Sequence, residues 1–296
     1  MNAIPINNFP IHKPLSSTMS KLIAIHSFRG GTGKSNVTAN LAAAIALMGY
    51  RVGVVDTDIP SPGIHALFGF DEGKVKHSLN DYLWRRCSIK QTAYDISTIL
   101  KPHSMAVNRQ GRIYFVPASL NVGEIARILR EGYSVSLLHD GFQELISELH
   151  LDYLFIDTHP GIHEATMLSL AIADVVVILL RPDRQDFQGT SVSVEVAHRL
   201  QVPELFLVVN RALETHDVQA LQQTLEATYH IPVAGILPHS DEIMRLASSD
   251  VFCLRHPKHE FSQVIRSIAK RLTKEGLGAR EKILSIESRL PQSSNF

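Results

Sequence analysis

The fold of this chain is decided by residues 27–35, which read Ser-Phe-Arg-Gly-Gly-Thr-Gly-Lys-Ser. An apolar run at 22–25 precedes them and predicts a buried strand, and an alanine- and leucine-rich run at 37–48 follows them and predicts a helix. In such a glycine-rich turn, successive backbone N–H groups can point at one oxyanion, and the helix N-terminus adds its positive end. The stretch therefore predicts a phosphate-binding loop, in which Lys34 reaches the β- and γ-phosphates of a nucleotide and the Ser35 hydroxyl binds Mg²⁺. A glycine-rich turn without a ligand is the alternative, and the order of strand, glycines, Lys-Ser and helix disfavours it.

The loop lacks one glycine of the usual phosphate-loop pattern, which places a glycine six residues before the lysine. Phe28 occupies that position, and Arg29 follows it. A cation followed by two glycines marks one large subclass of these loops, and the sequence fits that subclass. The residues expected to contact the nucleotide in this turn are Gly30, Gly31, Thr32, Gly33, Lys34, Ser35 and Asn36.

The composition excludes several classes of protein. Lysine and arginine together number 29, as do aspartate and glutamate, so no net charge draws the whole chain to nucleic acid or anionic lipid. The two cysteines, Cys87 and Cys253, are too far apart in sequence for a Cys-x-x-Cys pair, which favours a reducing compartment and no disulfide framework. No apolar run is long enough to span a membrane, and residues 1–19 lack the apolar core of a signal peptide. We therefore expect a cytoplasmic protein.

Strand-like and helix-like patterns alternate along the chain. The strand patterns are mostly continuous apolar runs, as in parallel strands buried on both faces, and fall at 22–26, 52–56, 113–117, 153–157, 175–180, 205–210 and 233–237. The helical patterns fall at 35–48, 134–149, 164–173, 189–200, 217–229 and 260–274. This alternation predicts an α/β fold with a doubly wound, mostly parallel sheet flanked by helices and a ligand site at the carboxyl ends of the strands. We expect one domain over 20–274, a disordered extension at 1–19, a tail at 275–296 and loops with short helices at 61–111.

Acidic residues end two of the predicted strands. Asp56 and Asp58 follow the second strand, and Asp157 ends the fourth, before a Pro-Gly turn that contains Gly161. Taken singly, an aspartate at a strand end is typical of a turn or a helix cap. Together with a phosphate loop, these acids predict a site that holds Mg²⁺ and orients an attacking water, with Asp157 as the Walker B acid. The N–H of Gly161 is expected near the γ-phosphate, where it can sense whether that group is present.

These motifs together resemble the MinD/ParA family of deviant Walker A ATPases, which are P-loop NTPases of the SIMIBI type. The resemblance extends from residue 21 to about residue 272. It rests on the loop at 29–35, Val-Val-Asp-Thr-Asp at 54–58, Ile-Asp-Thr-His-Pro-Gly at 156–161, Val-Val-Asn-Arg at 208–211 and Leu-Pro-His-Ser-Asp at 237–241. It implies an ATPase with ATP and Mg²⁺ as cofactors, whose turnover is slow and stimulated by an activator protein.

The resemblance also implies roles for individual residues. Asp58 would position the attacking water as a catalytic residue, and Asp56 would help to hold hydrated Mg²⁺. Asn210 would contact the adenine, with Arg211 beside it and the loop that begins at Pro238 closing over the ring.

Arg29 is the key position at which the chain departs from this family. Family members form a face-to-face homodimer with two ATP molecules between the subunits, and a signature lysine of each subunit crosses to the phosphates of the other. An arginine can grip phosphate with two N–H groups, so Arg29 can act across the dimer and neutralise charge in the transition state. The alternative is that Arg29 pairs within its own subunit and the contact across the dimer is lost.

The C-terminal region is basic in an otherwise neutral chain. ParA-like relatives use such surfaces for nonspecific DNA binding, whereas MinD-like relatives end in an amphipathic helix that binds membrane. The tail carries Ile283, Ile286 and Leu290 at helical spacing, and a solvated helix face is an equally good interpretation of the basic residues. The sequence leaves membrane and DNA open. The basic residues are Arg255, Lys258, Arg266, Lys270, Arg271, Lys274, Arg280 and Lys282.

Two classes of function follow. The first is an ATP-hydrolysing switch that dimerises around Mg·ATP and positions a cellular cargo or the division or partition machinery, at a membrane or on the nucleoid, nearer to MinD than to ParA. The second is an ATPase that matures a metal centre or an enzyme, although the expected pair of metal-binding cysteines is absent. A nucleotide-dependent binding module with little turnover is a third and weaker interpretation.

Overall fold

The computed structural model describes residues 20–103 and 111–274, and one sheet runs through this part of the chain. Its eight strands are β1 Lys21–His26, β2 Arg51–Asp56, β3 Tyr94–Asp95, β4 Arg112–Val116, β5 Tyr153–Asp157, β6 Val175–Leu180, β7 Glu204–Ala212 and β8 Val233–Pro238. They lie in the order β3-β4-β2-β5-β1-β6-β7-β8, and every neighbouring pair is parallel except β3 and β4. The predicted doubly wound, mostly parallel sheet is confirmed.

Helices cover both faces of the sheet. They are α1 Lys34–Leu47, α2 Ile64–Leu67, α3 Leu79–Leu83, α4 Val122–Glu131, α5 Val135–Leu149, α6 Glu164–Ile172, α7 Arg184–Arg199, α8 Val218–Tyr229, α9 Asp241–Leu246, α10 Phe252–Arg255 and α11 Glu260–Lys274. The loops and short helices predicted for 61–111 are present in its described part, where α2, α3 and three 3-10 segments lie.

The core lies on both faces of the sheet, which explains the continuous apolar runs. In β1, Ile23 and Ile25 face a cluster that includes α1, α10 and α11, whereas Leu22 and Ala24 face a cluster on the other side that includes α5 and α6. All four side chains are fully buried. Each such isoleucine or leucine contributes about 1.5–3 kcal/mol through its removal from water. The central strands are therefore held from both sides, and their ends are fixed in position.

The sequence patterns placed the start of one helix five residues too late and missed four elements, which are β3, α4, α9 and α10. Helix α7 begins at Arg184 and not at Gly189, because Asp183 caps it by accepting hydrogen bonds from the N–H groups of the next turn. Asn121 caps α4, which was not predicted, in the same way. Strand β3 was also missed, since it is two residues long and pairs antiparallel with β4 at the edge of the sheet.

The predictions for residues 1–19 and 275–296 lie outside the described residues. Within the residues that the structure does describe, no helix combines the length and the apolar character needed to cross a membrane.

Candidate active site

The phosphate loop joins β1 to α1 and turns on two glycines. Gly31 and Gly33 have φ angles of 75° and 95°, in the left-handed region that strains any residue with a side chain. At Gly33 an added Cβ would also lie 2.5 Å from the Nδ2 atom of Asn210. Gly33 is the N-cap of α1 and has no side chain to satisfy the first N–H groups of the helix. These N–H groups are therefore available to an anion, and Lys34 is the first residue of the helix.

Three adjacent strands bring two acids together beside this loop. Strands β2, β5 and β1 are neighbours, and Asp56 lies opposite Asp157 in the β2–β5 ladder. Both residues are only 1% exposed. Asp157 accepts a hydrogen bond from the Thr38 hydroxyl at Oδ1 (3.1 Å), whereas its Oδ2 is buried and has no partner among the described residues. A buried oxygen without a partner indicates a site that another molecule completes.

Burial changes the acidity of Asp157. Desolvation is the largest cause and raises the pKa of its carboxyl to about 6. The Lys34 ammonium and the hydroxyls of Ser35 and Thr38 oppose the rise, and the charge of Asp58 adds to it. Keeping Asp157 ionised in the folded protein therefore costs free energy.

Asp56 is in a similar position. Burial raises its pKa above the usual value, and the charges of Asp157 and Asp58 raise it further. Its two oxygens accept hydrogen bonds from the backbone N–H groups of Asp58 (3.1 Å) and Gly63 (3.2 Å), which favour the ionised form. Carboxylates packed this closely repel one another, and a divalent cation relieves that repulsion.

Asp58 has a partner that the sequence did not predict. The Nδ1 atom of His159 lies 2.6 Å from its Oδ1. His159 belongs to the Thr-His-Pro-Gly turn after β5, and its carbonyl accepts a hydrogen bond from the Thr166 hydroxyl of α6 (3.2 Å). Its place in a switch-like turn was visible in the sequence, but its contact with a residue 101 positions earlier has no sequence signal.

Backbone hydrogen bonds tie the loops of the site to one another. The N–H and the hydroxyl of Thr57 both donate to the carbonyl of Asp157, at 3.0 and 2.8 Å. The N–H of Gly161 donates to the carbonyl of Ser27 at 3.1 Å. Hydrogen bonds thus link the loop after β2, the loop after β5 and the phosphate loop. A movement of one of these loops would therefore displace the others.

Most of the predicted contact residues surround one cleft of about 490 Å³. Those that line it are Gly30, Gly31, Gly33, Lys34, Ser35, Asn36, Asp58, Asn210, Arg211 and Pro238. Thr32, Asp56 and Asp157 are buried and do not line it, and Arg29 and Gly161 are half-buried outside its lining. The cleft extends to α9, where Ile243 and Met244 add apolar surface. A polar end beside the loop and an apolar end beside α9 suit a phosphate group and a flat ring.

Asn210 contacts the phosphate loop itself. Its Nδ2 donates to the carbonyl of Thr32 at 2.7 Å, and its Oδ1 accepts from the N–H of Arg211 at 3.0 Å. The predicted base-contact residue is therefore also a brace for the turn that carries Gly33, which explains why no side chain fits at that glycine. Arg211 has a φ of 60°, and its side chain is exposed at the cleft.

Arg29 makes contacts within its own chain. Its Nη1 lies 3.5 Å from Oδ1 of Asp186 and 3.9 Å from Oδ1 of Asp183, at the start of α7. Asp186 also pairs with Arg181 at 3.0 Å, so Arg29 is its more distant partner. The side chain of Arg29 is 39% exposed, whereas that of Asp186 is 3% exposed. Phe28 packs beside it on Gly189, where no side chain would fit.

His26 is a further buried group that sequence patterns did not single out. Its Nδ1 contacts the Thr158 hydroxyl (3.3 Å) and its Nε2 the Ser193 hydroxyl (3.1 Å). Burial lowers its pKa to about 3, and the Lys34 charge lowers it further. The ring is therefore neutral, and it joins the end of β1 to α7 without adding charge beside the loop.

The basic C-terminal helix is less uniform than the sequence suggests. Lys270 is exposed on α11, whereas Arg271 lies over the ring of Phe206 (5.1 Å) and donates to the carbonyl of Val233 (3.0 Å). Arg271 is therefore engaged in packing the domain. Arg280 and Lys282 lie outside the described residues.

Neither cysteine is in the cleft. Cys253 is buried, its N–H donates to Oδ1 of Asn40 (2.7 Å), and burial raises the pKa of its thiol to about 12. Cys87 is half-buried. Across 20–103 and 111–274, no group of three or more His, Cys, Asp or Glu side chains is arranged to hold a metal ion.

Comparison with known proteins identifies the family. The ParA family, described as NUBPL iron-transfer P-loop NTPase, matches residues 18–273. The chain is 26% identical to the septum site-determining protein MinD of Bacillus subtilis, over 88% of this chain and 91% of that one. It is 32% identical to an iron-sulfur cluster carrier protein of Methanococcus maripaludis, over 66% of this chain and 63% of that one. The structure of MinD complexed with Mg-ADP from Pyrococcus horikoshii has a TM-score of 0.69 to this one at 20% identity, covering 87% of this chain and 97% of that one. The chain belongs to the ParA/MinD family of P-loop NTPases, as its motifs predicted.

Proposed function

We propose that this protein is an ATP-hydrolysing switch that dimerises around Mg·ATP and positions a cellular cargo or the division or partition machinery. The observation that carries the proposal is the cleft of about 490 Å³, where the phosphate loop, Asp58 and Asn210 face one another. Membership of a family of P-loop NTPases supports nucleotide hydrolysis. The similarity to a septum site-determining protein supports a role in positioning.

The side chains at the strand ends fit a hydrated Mg²⁺. Mg²⁺ prefers oxygen ligands and keeps several of its waters. Ser35 would bind the ion directly, and Asp56 and Asp157 would hold it through water, which gives the buried Oδ2 of Asp157 a partner. Bound Mg²⁺ supplies positive charge that offsets the phosphates and the packed carboxylates. A MinD of the same fold has been solved as a complex with Mg-ADP.

Three side chains carry the hydrolysis in this proposal. Lys34 binds the β- and γ-phosphates, and Asp58 orients the attacking water. Arg29 crosses to the phosphates in the second subunit, for which it leaves its 3.5 Å contact with Asp186. Because Arg29 is 39% exposed, the loss of that contact costs about 1 kcal/mol or less. Asp186 keeps its closer partner, Arg181.

The γ-phosphate sets the state of the switch. Its contacts order the loops after β2 and β5, and the ordered loops complete the dimer and its binding surface. An activator protein speeds the slow turnover, and the ADP form returns to a monomer. The dimer would act in the cytoplasm, bound peripherally to a membrane or to the nucleoid. Exposed cations such as Lys258 and Lys270 suit either anionic surface.

The variant Asp58→Ala tests the proposal, because it should hold the ATP dimer without turning it over. The purified variant is sedimented with vesicles containing anionic phospholipid and, in parallel, mixed with nonspecific DNA in a retardation assay. Binding to one of them with Mg·ATP and not with Mg·ADP is the expected result. Equal binding with Mg·ATP and Mg·ADP would contradict a switch. Binding to neither surface would indicate that the dimer binds a protein partner instead.

Maturation of a metal centre is the second candidate. The description of the family as iron-transfer NTPases and the similarity to an iron-sulfur cluster carrier protein favour it. Cysteine thiolates hold such clusters, and this chain has two cysteines, of which Cys253 has a pKa raised to about 12 by burial. The protein is incubated with iron and sulfide under reducing conditions and then assayed for bound iron. Stoichiometric iron would favour this candidate over positioning.

The variant Asp58→Ala also distinguishes a third candidate, a nucleotide-dependent binding module with little turnover, from the switch and from the metal-centre maturation ATPase. If the module interpretation holds, the lifetime of the ATP-bound state is the same for wild type and Asp58→Ala.

A further inference from the structure

The side chain of His159 lies against the carboxylate that we propose to orient the attacking water. Its Nδ1 is 2.6 Å from Oδ1 of Asp58. A carboxylate can only accept hydrogen bonds, so Nδ1 carries the proton and donates it. Both residues line the nucleotide cleft, and the Asp58 side chain is 12% exposed there. One oxygen of Asp58 is therefore held by His159, and its other oxygen accepts no hydrogen bond from the part of the chain that the structure describes.

His159 is itself held in position. Its carbonyl accepts from the Thr166 hydroxyl in the first turn of α6. Its ring contacts the ring of His163, with the centroids 5.2 Å apart. Two residues later the N–H of Gly161 bonds to the phosphate loop at Ser27. The backbone of this turn is thus fixed to α6 through Thr166 and to the phosphate loop through Gly161, and the imidazole itself lies against the ring of His163.

We propose that His159 is a positioning residue for hydrolysis, because it fixes the rotation of the Asp58 carboxylate and so aims its second oxygen at the attacking water. The inference rests on the proposed role of Asp58. A short hydrogen bond to an ionised acceptor is strong and directional, so it defines the angle of the carboxylate. The contact also links the loop after β2 to the loop after β5. Alignment of the water then requires both loops to be in place together.

Two substitutions at position 159 distinguish the effect of the N–H donor from the effect of side-chain volume. His159→Leu keeps most of the side-chain volume but removes the donor, whereas His159→Asn keeps an N–H close to the position of Nδ1. Partners of this kind typically contribute about 10- to 100-fold to activity, so we expect His159→Leu to lower kcat by about that factor with KM changed less than about twofold. His159→Asn should recover kcat to within about threefold of wild type. His163→Phe, which keeps a ring beside His159, is the matched control and should leave kcat within about twofold of wild type.

The measurements are steady-state hydrolysis of ATP, which gives kcat and KM, and single-turnover release of phosphate with protein in excess, for these variants and for Asp58→Asn. If wild type and Asp58→Asn release phosphate at the same rate, the proposed function fails and the inference fails with it. If Asp58→Asn is slow but His159→Leu matches wild type, the proposed function stands and the inference is wrong. If His159→Leu is slow and His159→Asn is no faster, the N–H donor is not what matters, and the inference is again overturned.

Discussion

Replacement of Asp157 by asparagine is expected to stabilise the nucleotide-free protein and to weaken its binding of Mg·nucleotide. The carboxylate is buried, and its pKa of about 6 lies well above the usual value of 3.8. One pKa unit corresponds to about 1.4 kcal/mol, so the ionised group lowers the free energy of unfolding by about 3 kcal/mol when the pH exceeds its folded pKa. Asparagine resembles the protonated acid in shape and can still accept from Thr38. We expect Asp157→Asn to gain about 2–3 kcal/mol at about pH 8.

The sign of the pH dependence follows from the raised pKa. Between the unfolded value of 3.8 and the folded value of about 6, the folded wild type binds more protons than the unfolded chain. Its free energy of unfolding therefore falls as the pH rises through this window, and the variant lacks this loss. The advantage of Asp157→Asn should be absent below about pH 4 and complete above about pH 7.

Urea unfolding measures this difference. Fluorescence of Trp84, the single tryptophan, reports unfolding in buffers at about pH 5 and pH 8 that contain a chelator and no nucleotide. Asp140→Asn, at an exposed position on α5, is the control and should change stability by less than about 0.5 kcal/mol at either pH. Added Mg·ADP should stabilise wild type more than Asp157→Asn. A variant that is no more stable at the higher pH, or a gain that does not change with pH, would show that ionisation of Asp157 does not destabilise the folded protein.

Three further outcomes are expected. Gly33→Ala should lower nucleotide affinity at least about tenfold in a fluorescence titration, because its Cβ strains a φ of 95° and displaces the amide of Asn210; unchanged affinity would count against the brace. Arg29→Ala should abolish ATP-dependent dimers in analytical ultracentrifugation while the monomer still binds nucleotide; if dimerisation is unaffected, the role across the dimer is rejected. Gly189→Val should lose about 1–3 kcal/mol in urea unfolding through overlap with the Phe28 ring, and Phe28→Ala should relieve the loss when the two are combined, whereas additive losses would place the cause elsewhere.

The sequence was sufficient to predict the strands that are buried on both faces, because such burial imposes a continuous apolar run. Strands such as β5 and β6 are predicted to the residue, because a parallel strand between two helical layers must be apolar throughout. The missed helix α4 had a readable signal, since Asn121 accepts from the N–H groups of Gly123 and Glu124 and is a typical cap. Strand β3 had none, because two residues carry no periodicity.

In the candidate site, likewise, features formed by one stretch of sequence could be predicted and contacts between distant residues could not. The phosphate loop is local, so the roles of its glycines, Lys34 and Ser35 could be predicted from one short stretch of sequence. The contacts between Asp58 and His159 and between Asn210 and Thr32 join residues far apart in sequence, so their geometry depends on the packed sheet. Whether Arg29 pairs within its chain was likewise open, and only the position of α7 places Asp186 beside it.

Sedimentation velocity of Asp58→Ala with Mg·ATP shows whether this protein dimerises around the nucleotide. We expect a species of twice the chain mass with Mg·ATP and of one chain mass with Mg·ADP or without nucleotide. The double variant that also carries Lys34→Ala should remain a monomer throughout. A monomer in saturating Mg·ATP, or a dimer that forms whichever nucleotide is present, would contradict an ATP-dependent dimer switch.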